Sequence, residues 1–229
     1  MTSADEIGSN LAAITEAIRR ACERAGRDPG EVLIVGASKT VDLERIRWAH
    51  EAGVTAFGEN YVQELRRKAP ELPTARWHFI GTLQSGTAQH VADLADVVET
   101  LAGERATERL ARRARSTGRV LDGLVEVDLA GRGTGVPPET VAAFARSTAA
   151  LGGVRVVGLM TLPPLDPDPE AARPWFTRLR TIRDRLRVQH PEMLELSMGM
   201  SLDYPVAVEE GATMVRIGTA LFGRRAPLT

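Results

Sequence analysis

The sequence predicts one (β/α)8 barrel domain, residues 1–229, with an additional N-terminal helix outside the repeating pattern. From Glu31 onward, short β-branched runs alternate with amphipathic segments, which indicates parallel strands joined by helices. About eight such units follow one another, and 229 residues with 43% hydrophobic content can bury the core of a barrel. An open doubly wound sheet is the runner-up, but the first strand-to-helix turn, residues 36–40, lacks the G-x-G-x-x-G pattern typical of that fold.

The individual elements follow from periodicity and from turn residues. Residues 4–26 have helical periodicity that ends at Gly26, and Pro29 with Gly30 breaks the chain before the first strand. The predicted strands are residues 32–38, 54–58, 76–81, 96–100, 124–128, 154–159, 194–198 and 214–217. The predicted helices between them are residues 42–52, 60–69, 84–94, 104–117, 138–151, 170–188 and 203–210.

Lysine is rare in this sequence, and one lysine follows the first strand. Lys and Arg together number 29, yet Lys39 and Lys68 are the only lysines. Because arginine stays protonated and cannot form an imine, a lysine kept at the end of an apolar strand suggests an amine that attacks an aldehyde. The alternative is a strand-end lysine in solvent. Lys68 lies in the charged segment 64–68 and is predicted to occupy a solvated helix face.

Small and hydroxyl-bearing residues follow the seventh and eighth strands, in segments 197–201 and 216–219. Barrels carry their functional residues at the C-terminal ends of the strands and often hold a phosphate in this region. A Schiff-base lysine and a phosphate cradle in one barrel mouth indicate a phosphorylated aldehyde, of which pyridoxal 5'-phosphate is the commonest. The structural alternative is that Gly218 permits a tight turn and that Ser201 and Asp203 begin the next helix.

Arg216 is a cation within an apolar strand. By strand alternation it faces opposite to Val215 and Ile217, so it needs an acceptor. If it points at a pyridine nitrogen, it disfavours protonation there and weakens the ring as an electron sink. A salt bridge to a carboxylate, such as Glu59 or Asp128, is the alternative.

Several segments, in this order and over nearly the whole chain, closely resemble the pyridoxal phosphate homeostasis proteins. These segments are residues 37–40, 57–64, 77–81, 158–161, 196–201 and 215–223. The resemblance implies an alanine-racemase-like barrel that holds pyridoxal phosphate as a Schiff base on Lys39. It also implies phosphate contacts from Ser201, Gly218 and Thr219 with help from Ser197, a ring-nitrogen contact from Arg216, and Asn60 beside the cofactor.

The same resemblance implies a carrier or regulator of intracellular vitamin B6 without strong catalytic turnover, and it allows apoenzymes that require the cofactor as partners. Two positions depart from the family pattern. Gly86 and Thr87 stand where Asn-Lys is usual, and Arg132 stands where a lysine is common after the fifth strand. Arg132 keeps a charge but cannot form an imine.

Two enzymatic alternatives use the same imine chemistry. A racemase of this barrel type usually adds a β domain with a catalytic tyrosine, whereas Tyr61 and Tyr204 are the only tyrosines here and Thr229 directly follows the predicted barrel. An aldolase acting on sugar phosphates is the less favoured alternative. We identify no second acid or base beside Lys39, and His78 is predicted within a strand, away from the site.

Composition argues against nucleic-acid-binding, secreted and membrane proteins. The formal net charge is -1 and long basic blocks are absent, so no nucleic-acid partner is expected. Cys22 is the single cysteine, which excludes an internal disulfide, and its apolar helical stripe predicts a buried thiol. The sequence has no recognisable leader, membrane span or metal-ligand cluster. We therefore expect a cytoplasmic protein, and a monomer because no apolar helix face stands out.

Overall fold

A computed structural model, which describes residues 2–223, contains eight parallel strands closed into a barrel in sequence order. The strands are β1 Leu33–Ala37, β2 Ala56–Glu59, β3 Arg76–Phe79, β4 Val97–Leu101, β5 Leu121–Glu126, β6 Val154–Met160, β7 Glu195–Met200 and β8 Met214–Ile217. The helices are α1 Ala4–Ala25, α2 Leu43–Glu51, α3 Val62–Lys68, α4 Ala88–Leu94, α5 Glu104–Ser116, α6 Val141–Ala150, α7 Arg173–Arg187, α8 Tyr204–Glu209 and α9 Thr219–Phe222. The predicted (β/α)8 barrel with an additional N-terminal helix is confirmed.

Helix α1 begins and ends where the sequence places its caps. Ser3 and Glu6 form a reciprocal capping box at its start, which satisfies two N–H groups of the first turn. At its end Gly26 adopts φ 64°, a left-handed conformation that favours glycine. The buried side of α1 includes Cys22, as predicted. Within the described chain, no helix is long and apolar enough to cross a membrane.

The barrel interior changes from apolar to charged toward the C-terminal ends of the strands. An inner apolar cluster consists of Val35, Ala56, Val97, Leu124, Met160 and Met214. Two positions further along three of these strands stand Glu99, Glu126 and Arg216, which therefore share the inner face. A charged layer thus lies above the apolar layer, on the side where the βα loops meet.

The alternate residues of the strands face outward and pack against the helices. Phe57, Val215 and Ile217 belong to this outer core, so the predicted alternation around Arg216 is confirmed. Strand β5 begins three residues before its predicted start at 124, because Asp122 and Gly123 are strand residues rather than turn residues. The Asp122 carboxylate accepts from two arginines, and a Cβ at position 123 would lie 2.4 Å from a neighbouring leucine methyl.

Candidate functional site

The parallel strands bring the predicted site residues to one end of the barrel. Lys39 follows β1, Asn60 follows β2, Ser201 follows β7, and Gly218 with Thr219 follows β8. Strands β1 and β8 are hydrogen-bonded neighbours, with Val35 opposite Arg216. The segments that carry the lysine and the predicted phosphate contacts are therefore adjacent in the barrel wall.

Lys39 is partly buried, and its Nζ atom lies 4.9 Å from the centroid of the Tyr61 ring. This cation–π contact holds the side chain over the start of α3. Asn60 packs directly on Gly81, where an added Cβ would lie 2.0 Å from the Asn60 carbonyl oxygen. A cavity of about 400 Å³ opens here, lined by Asn60, Tyr61, Phe79, Gly81, Gln84 and Thr87. Its volume is in the range of small-molecule sites.

Arg216 belongs to a buried polar cluster inside the barrel, which we call the inner network: His78, Glu99, Ser197 and Arg216. One guanidinium nitrogen of Arg216 donates to Ser197 Oγ and lies 3.6 Å from Glu99 Oε2. The other donates to the Thr161 carbonyl at 3.0 Å. Ser197 Oγ donates to Glu99 Oε2 at 2.5 Å, and His78 Nδ1 donates to Glu99 Oε1 at 2.6 Å. Because the ionised Glu99 carboxylate can only accept hydrogen bonds, the proton in this contact lies on His78 Nδ1.

The alternative of a salt bridge between Arg216 and a carboxylate is confirmed, but the two examples named for it, Glu59 and Asp128, are wrong. Glu59 lies on the outward face of β2, on the same side as Phe57, so it cannot reach the barrel interior. Asp128 instead accepts the backbone N–H groups of Arg132 and Gly133, at 2.9 and 2.6 Å. The acceptor role falls to Glu99, which sequence analysis missed.

Glu99 is fully buried yet carries its charge. Burial alone would raise the pKa of its carboxyl, but the hydrogen bonds from His78 and Ser197 and the charge of Arg216 outweigh it, so the pKa is lowered. Burial lowers the pKa of Arg216, against the opposing effect of Glu99, Asp203 and Glu126. The guanidinium of Arg216 therefore lies inside the barrel with its positive charge balanced by the Glu99 carboxylate.

A sequence signal for the inner network was present. Glu99 interrupts the apolar strand 97–101, and a glutamate there needs a partner just as Arg216 does. His78, predicted to lie away from the site, is one contact removed from Ser197. Strand alternation would have placed both side chains, but it does not reveal which strands face each other.

The loops after β7 and β8 are joined by Ser201, whose Oγ accepts the Ala220 N–H group at 3.2 Å. Asp203 accepts the Met200 N–H group at 2.6 Å, and within the described residues its side chain does not cap α8. The structural alternative is therefore confirmed in part, because Asp203 holds the position directly before α8 although its carboxylate bonds to Met200. Thr219 is exposed at the start of α9.

The solvated position predicted for Lys68 is wrong. Its side chain is 0% exposed, and Nζ lies 2.6 Å from Glu59 Oε1 and 2.8 Å from Glu64 Oε2. The neighbours Arg66 and Arg67 are exposed, whereas position 68 completes the buried stripe of α3 with Val62 and Leu65. Helical spacing, rather than the charge of the segment, was the informative signal.

The two departures from the family pattern lie at the surface. Arg132 is exposed, and its backbone N–H group donates to the Asp128 carboxylate, which fixes the loop. Gly86 is exposed, and Thr87 is the residue before α4, with Oγ1 donating to the Gln84 carbonyl at 3.3 Å. Both loops are thus closed by local hydrogen bonds. Across residues 2–223 there is no cluster of three or more potential metal-ligating side chains.

Comparison with known proteins identifies the family. The profile of the alanine racemase N-terminal domain matches residues 9–226. A relative in Aquifex aeolicus (strain VF5), named pyridoxal phosphate homeostasis protein, is 42% identical over 220 residues, covering 94% of this chain and 96% of the relative. The chain belongs to the pyridoxal phosphate homeostasis protein family. Among solved structures, PipY of Synechococcus elongatus PCC7942 with pyridoxal phosphate bound is 35% identical, with a TM-score of 0.83 over 95% of this chain and 100% of PipY.

The similarity extends beyond the pyridoxal phosphate homeostasis protein family at the level of the fold. An alanine racemase of Clostridium difficile 630, in complex with cycloserine, has a TM-score of 0.77 over 96% of this chain and 57% of the racemase. At 15% identity this similarity shows the shared fold alone.

The groups at the barrel mouth fit a phosphorylated aldehyde. Lys39 would supply the amine, Ser201 and Thr219 would supply hydroxyls for a phosphate, and Arg216 would supply donors whose charge is balanced by Glu99. Amines, hydroxyls and guanidinium groups are the donors that an aldehyde with an anionic phosphate requires. The residues present therefore suit pyridoxal phosphate.

Proposed function

We propose that this chain binds pyridoxal 5'-phosphate as a Schiff base on Lys39 and takes part in intracellular vitamin B6 homeostasis without strong catalytic turnover. The observation that carries the proposal is the difference in exposure and hydrogen bonding between the two lysines. Lys39 is partly exposed over Tyr61 at the barrel mouth, whereas Lys68 is buried with its hydrogen-bonding capacity occupied. One amine is thus open to an aldehyde. The PipY structure with bound pyridoxal phosphate supports the choice of cofactor.

Each residue then has a separate role. Lys39 would supply the amine that holds the aldehyde group of the cofactor. Ser201, Gly218 and Thr219 would hold the phosphate, and Asn60 would lie beside the ring. The Ser197 hydroxyl, expected to help with the phosphate, is instead engaged with Glu99 and Arg216. Arg216 would face the ring nitrogen, and because its guanidinium remains charged it would keep that nitrogen unprotonated. An unprotonated ring is a weak electron sink, which supports a carrier rather than an enzyme.

The test is a titration of the purified full-length chain with pyridoxal phosphate, followed by absorbance, borohydride reduction and peptide mass mapping. We expect a Schiff-base band and a pyridoxyl adduct on Lys39. Lys39→Arg is the matched control, because it keeps the charge but cannot form an imine, and it should give neither band nor adduct. An adduct confined to Lys68, or a wild-type chain without a band, would overturn the proposal.

Carrier and enzyme are separated by incubating the loaded protein with single-enantiomer alanine or serine. We expect the optical activity to persist. Rapid racemisation would show that the protein is a racemase rather than a carrier. Cleavage of an aldol substrate by colourless protein would show that it is an aldolase.

We further propose that the protein acts as a cytoplasmic monomer whose partners are apoenzymes requiring the cofactor. In the described residues, the exposed large apolar side chains, such as Val120, Leu165 and Leu202, are scattered along the chain. Light scattering coupled to size exclusion should give the mass of one chain, 24.8 kDa. When the loaded protein is mixed with an apoenzyme, the enzyme should regain activity at a certain rate. We expect this rate to exceed the rate at which the cofactor dissociates from the loaded protein after dilution.

A further inference from the structure

A second buried polar cluster lies between the barrel and α3, on the outer face of the sheet. We call it the outer network: Ser38, Glu59, Glu64 and Lys68. Ser38 Oγ donates to Glu59 Oε1 at 2.7 Å, and Lys68 Nζ donates to Glu59 Oε1 at 2.6 Å and to Glu64 Oε2 at 2.8 Å. Ser38, Glu59 and Lys68 are each 0% exposed. None of these side chains faces the barrel mouth, so the binding chemistry proposed above does not use them.

The outer network holds the backbone on both sides of Lys39. The peptide group before Lys39 presents its oxygen, Ser38 O, to Lys68 Nζ at 2.8 Å. The peptide group after Lys39 donates its hydrogen from Thr40 N to Glu64 Oε2 at 2.9 Å. Since Lys68 also bonds Glu64, one ammonium group links the two attachments.

The segment held in this way is a strained turn. The Val41 N–H group donates to Ser38 O at 2.9 Å, which closes a four-residue turn with Lys39 and Thr40 at its centre. Thr40 adopts φ 61°, the only positive φ of a non-glycine residue within residues 2–223. Turns with a positive φ at the third position normally place glycine there, because a β-branched residue is crowded. Contacts from outside the turn are therefore needed to keep this conformation.

The identity of Lys68 matches this role. In a chain that uses arginine for almost every other cation, Lys68 Nζ donates to three acceptors: Ser38 O, Glu59 Oε1 and Glu64 Oε2. An ammonium group has three donors on one atom, so all are used, whereas a planar guanidinium spreads its donors over a wide fork. Arginine would therefore not serve at either lysine position: Lys39 is needed for imine formation, and Lys68 is needed for three donors on one atom.

We propose that Lys68, acting through Glu64 and Ser38, is a positioning residue that holds the Lys39 turn in the conformation that binds the cofactor. This inference rests on the proposed function, namely that Lys39 is the amine that binds pyridoxal phosphate. Lys68 itself does not touch the cofactor. Its loss allows the turn to relax, so that the Lys39 amine samples positions from which it does not reach the aldehyde.

The test compares pyridoxal phosphate binding by wild type and Lys68→Met, in the full-length chain, through the dissociation constant and the rate of band formation. We expect Lys68→Met to bind about tenfold more weakly and to form the band more slowly, with the adduct still on Lys39. Lys68→Arg should fail to restore binding, because it keeps the charge but not the three-donor geometry. Hydrogen exchange should rise at the Thr40 amide in the variant.

Leu110→Ala is the matched control, since Leu110 is 0% exposed on α5 and its truncation lowers stability without touching the turn. If Leu110→Ala weakens binding as much as Lys68→Met, the role of Lys68 is purely structural and the proposal falls. The proposal also falls if Lys68→Met binds like wild type.

Glu64→Gln provides a second variant should Lys68→Met not fold, because Glu64 is only partly buried. It keeps an acceptor for the Thr40 N–H group and removes the charge that pairs with Lys68. We expect the band to form roughly two- to threefold more slowly, because a single hydrogen bond is weakened. A rate equal to that of wild type would contradict the positioning role. A wild-type chain without a band would instead refute the proposed function.

Discussion

The inner and outer networks bury glutamates to the same extent, yet those glutamates behave in opposite ways. Glu99 and Glu59 are each 0% exposed. The pKa of Glu99 is lowered, whereas burial raises the pKa of Glu59 to about 7 despite the opposing effect of Lys68. Glu99 engages both oxygens with His78 and Ser197, while Glu59 Oε2 has no hydrogen-bond partner among the described residues. The donors around a buried carboxylate, rather than its burial, decide whether it holds a charge.

The cations beside these two glutamates also favour ionisation of Glu99 over ionisation of Glu59. Glu99 lies near Arg216, which stays charged at any ordinary pH, whereas Glu59 shares the single charge of Lys68 with Glu64. The inner network thus supplies a permanent charge beside the proposed ring site. The outer network carries a carboxylate that titrates near neutral pH.

The largest expected effect is on the inner network. Glu99→Ala leaves Arg216 buried without its counter-charge, so we expect the free energy of unfolding to fall by about 4 kcal/mol. Urea unfolding measures it, with the exposed Glu139→Ala as the control. The loss should be the same at pH 6 and pH 8, because Arg216 does not deprotonate in this range. A loss confined to one pH would contradict the assignment of a permanent charge.

Lys68→Met is expected to have a smaller and pH-dependent effect. At pH 8 Glu59 is ionised and loses its cation, so unfolding should become easier by about 3 kcal/mol. At pH 6 Glu59 takes up a proton instead, and the loss should be smaller. Urea unfolding at both pH values measures this difference. Equal losses at pH 6 and pH 8 would mean that the two networks respond alike.

Glu59→Gln isolates the titration itself. A folded-state pKa raised from 4.5 to about 7 means that the folded chain binds the proton more tightly than the unfolded chain. Its stabilising contribution is therefore fully present below pH 4.5 and is lost as the pH rises through 7. We expect wild type to lose roughly 3 kcal/mol relative to Glu59→Gln across this range, measured by thermal unfolding at several pH values. A constant difference between the two proteins would show that Glu59 does not titrate there.

The smallest expected effect concerns the turn that the outer network holds. Thr40→Gly removes the crowding at φ 61°, and after the entropy cost of glycine we expect a gain of about 0.5 kcal/mol. Thr40→Ala keeps a Cβ and should show no such gain, which makes it the control. Thermal unfolding measures both variants. A loss of stability in Thr40→Gly would indicate that the threonine side chain, rather than the backbone, supports the turn.

The sequence by itself determined the fold and the order of its elements. Alternating periods of two and 3.6 residues are local signals, and they identified every strand of the barrel with small shifts at the ends. The rarity of lysine singled out Lys39, and strand alternation gave the inward direction of Arg216. These inferences needed only neighbours along the chain.

Only the tertiary structure decided which buried charges meet. Ser197 and Glu99 are 98 residues apart in sequence, and Lys68 and Ser38 are 30 apart, yet each pair is in hydrogen-bond contact. Alternation assigns a side chain to the inside or the outside of a barrel, but closure of the barrel chooses its partners across it. Lys68 was misjudged for a different reason: its spacing from Val62 and Leu65 places it on the buried side of α3, and only its acceptors, such as Glu59, needed the tertiary structure.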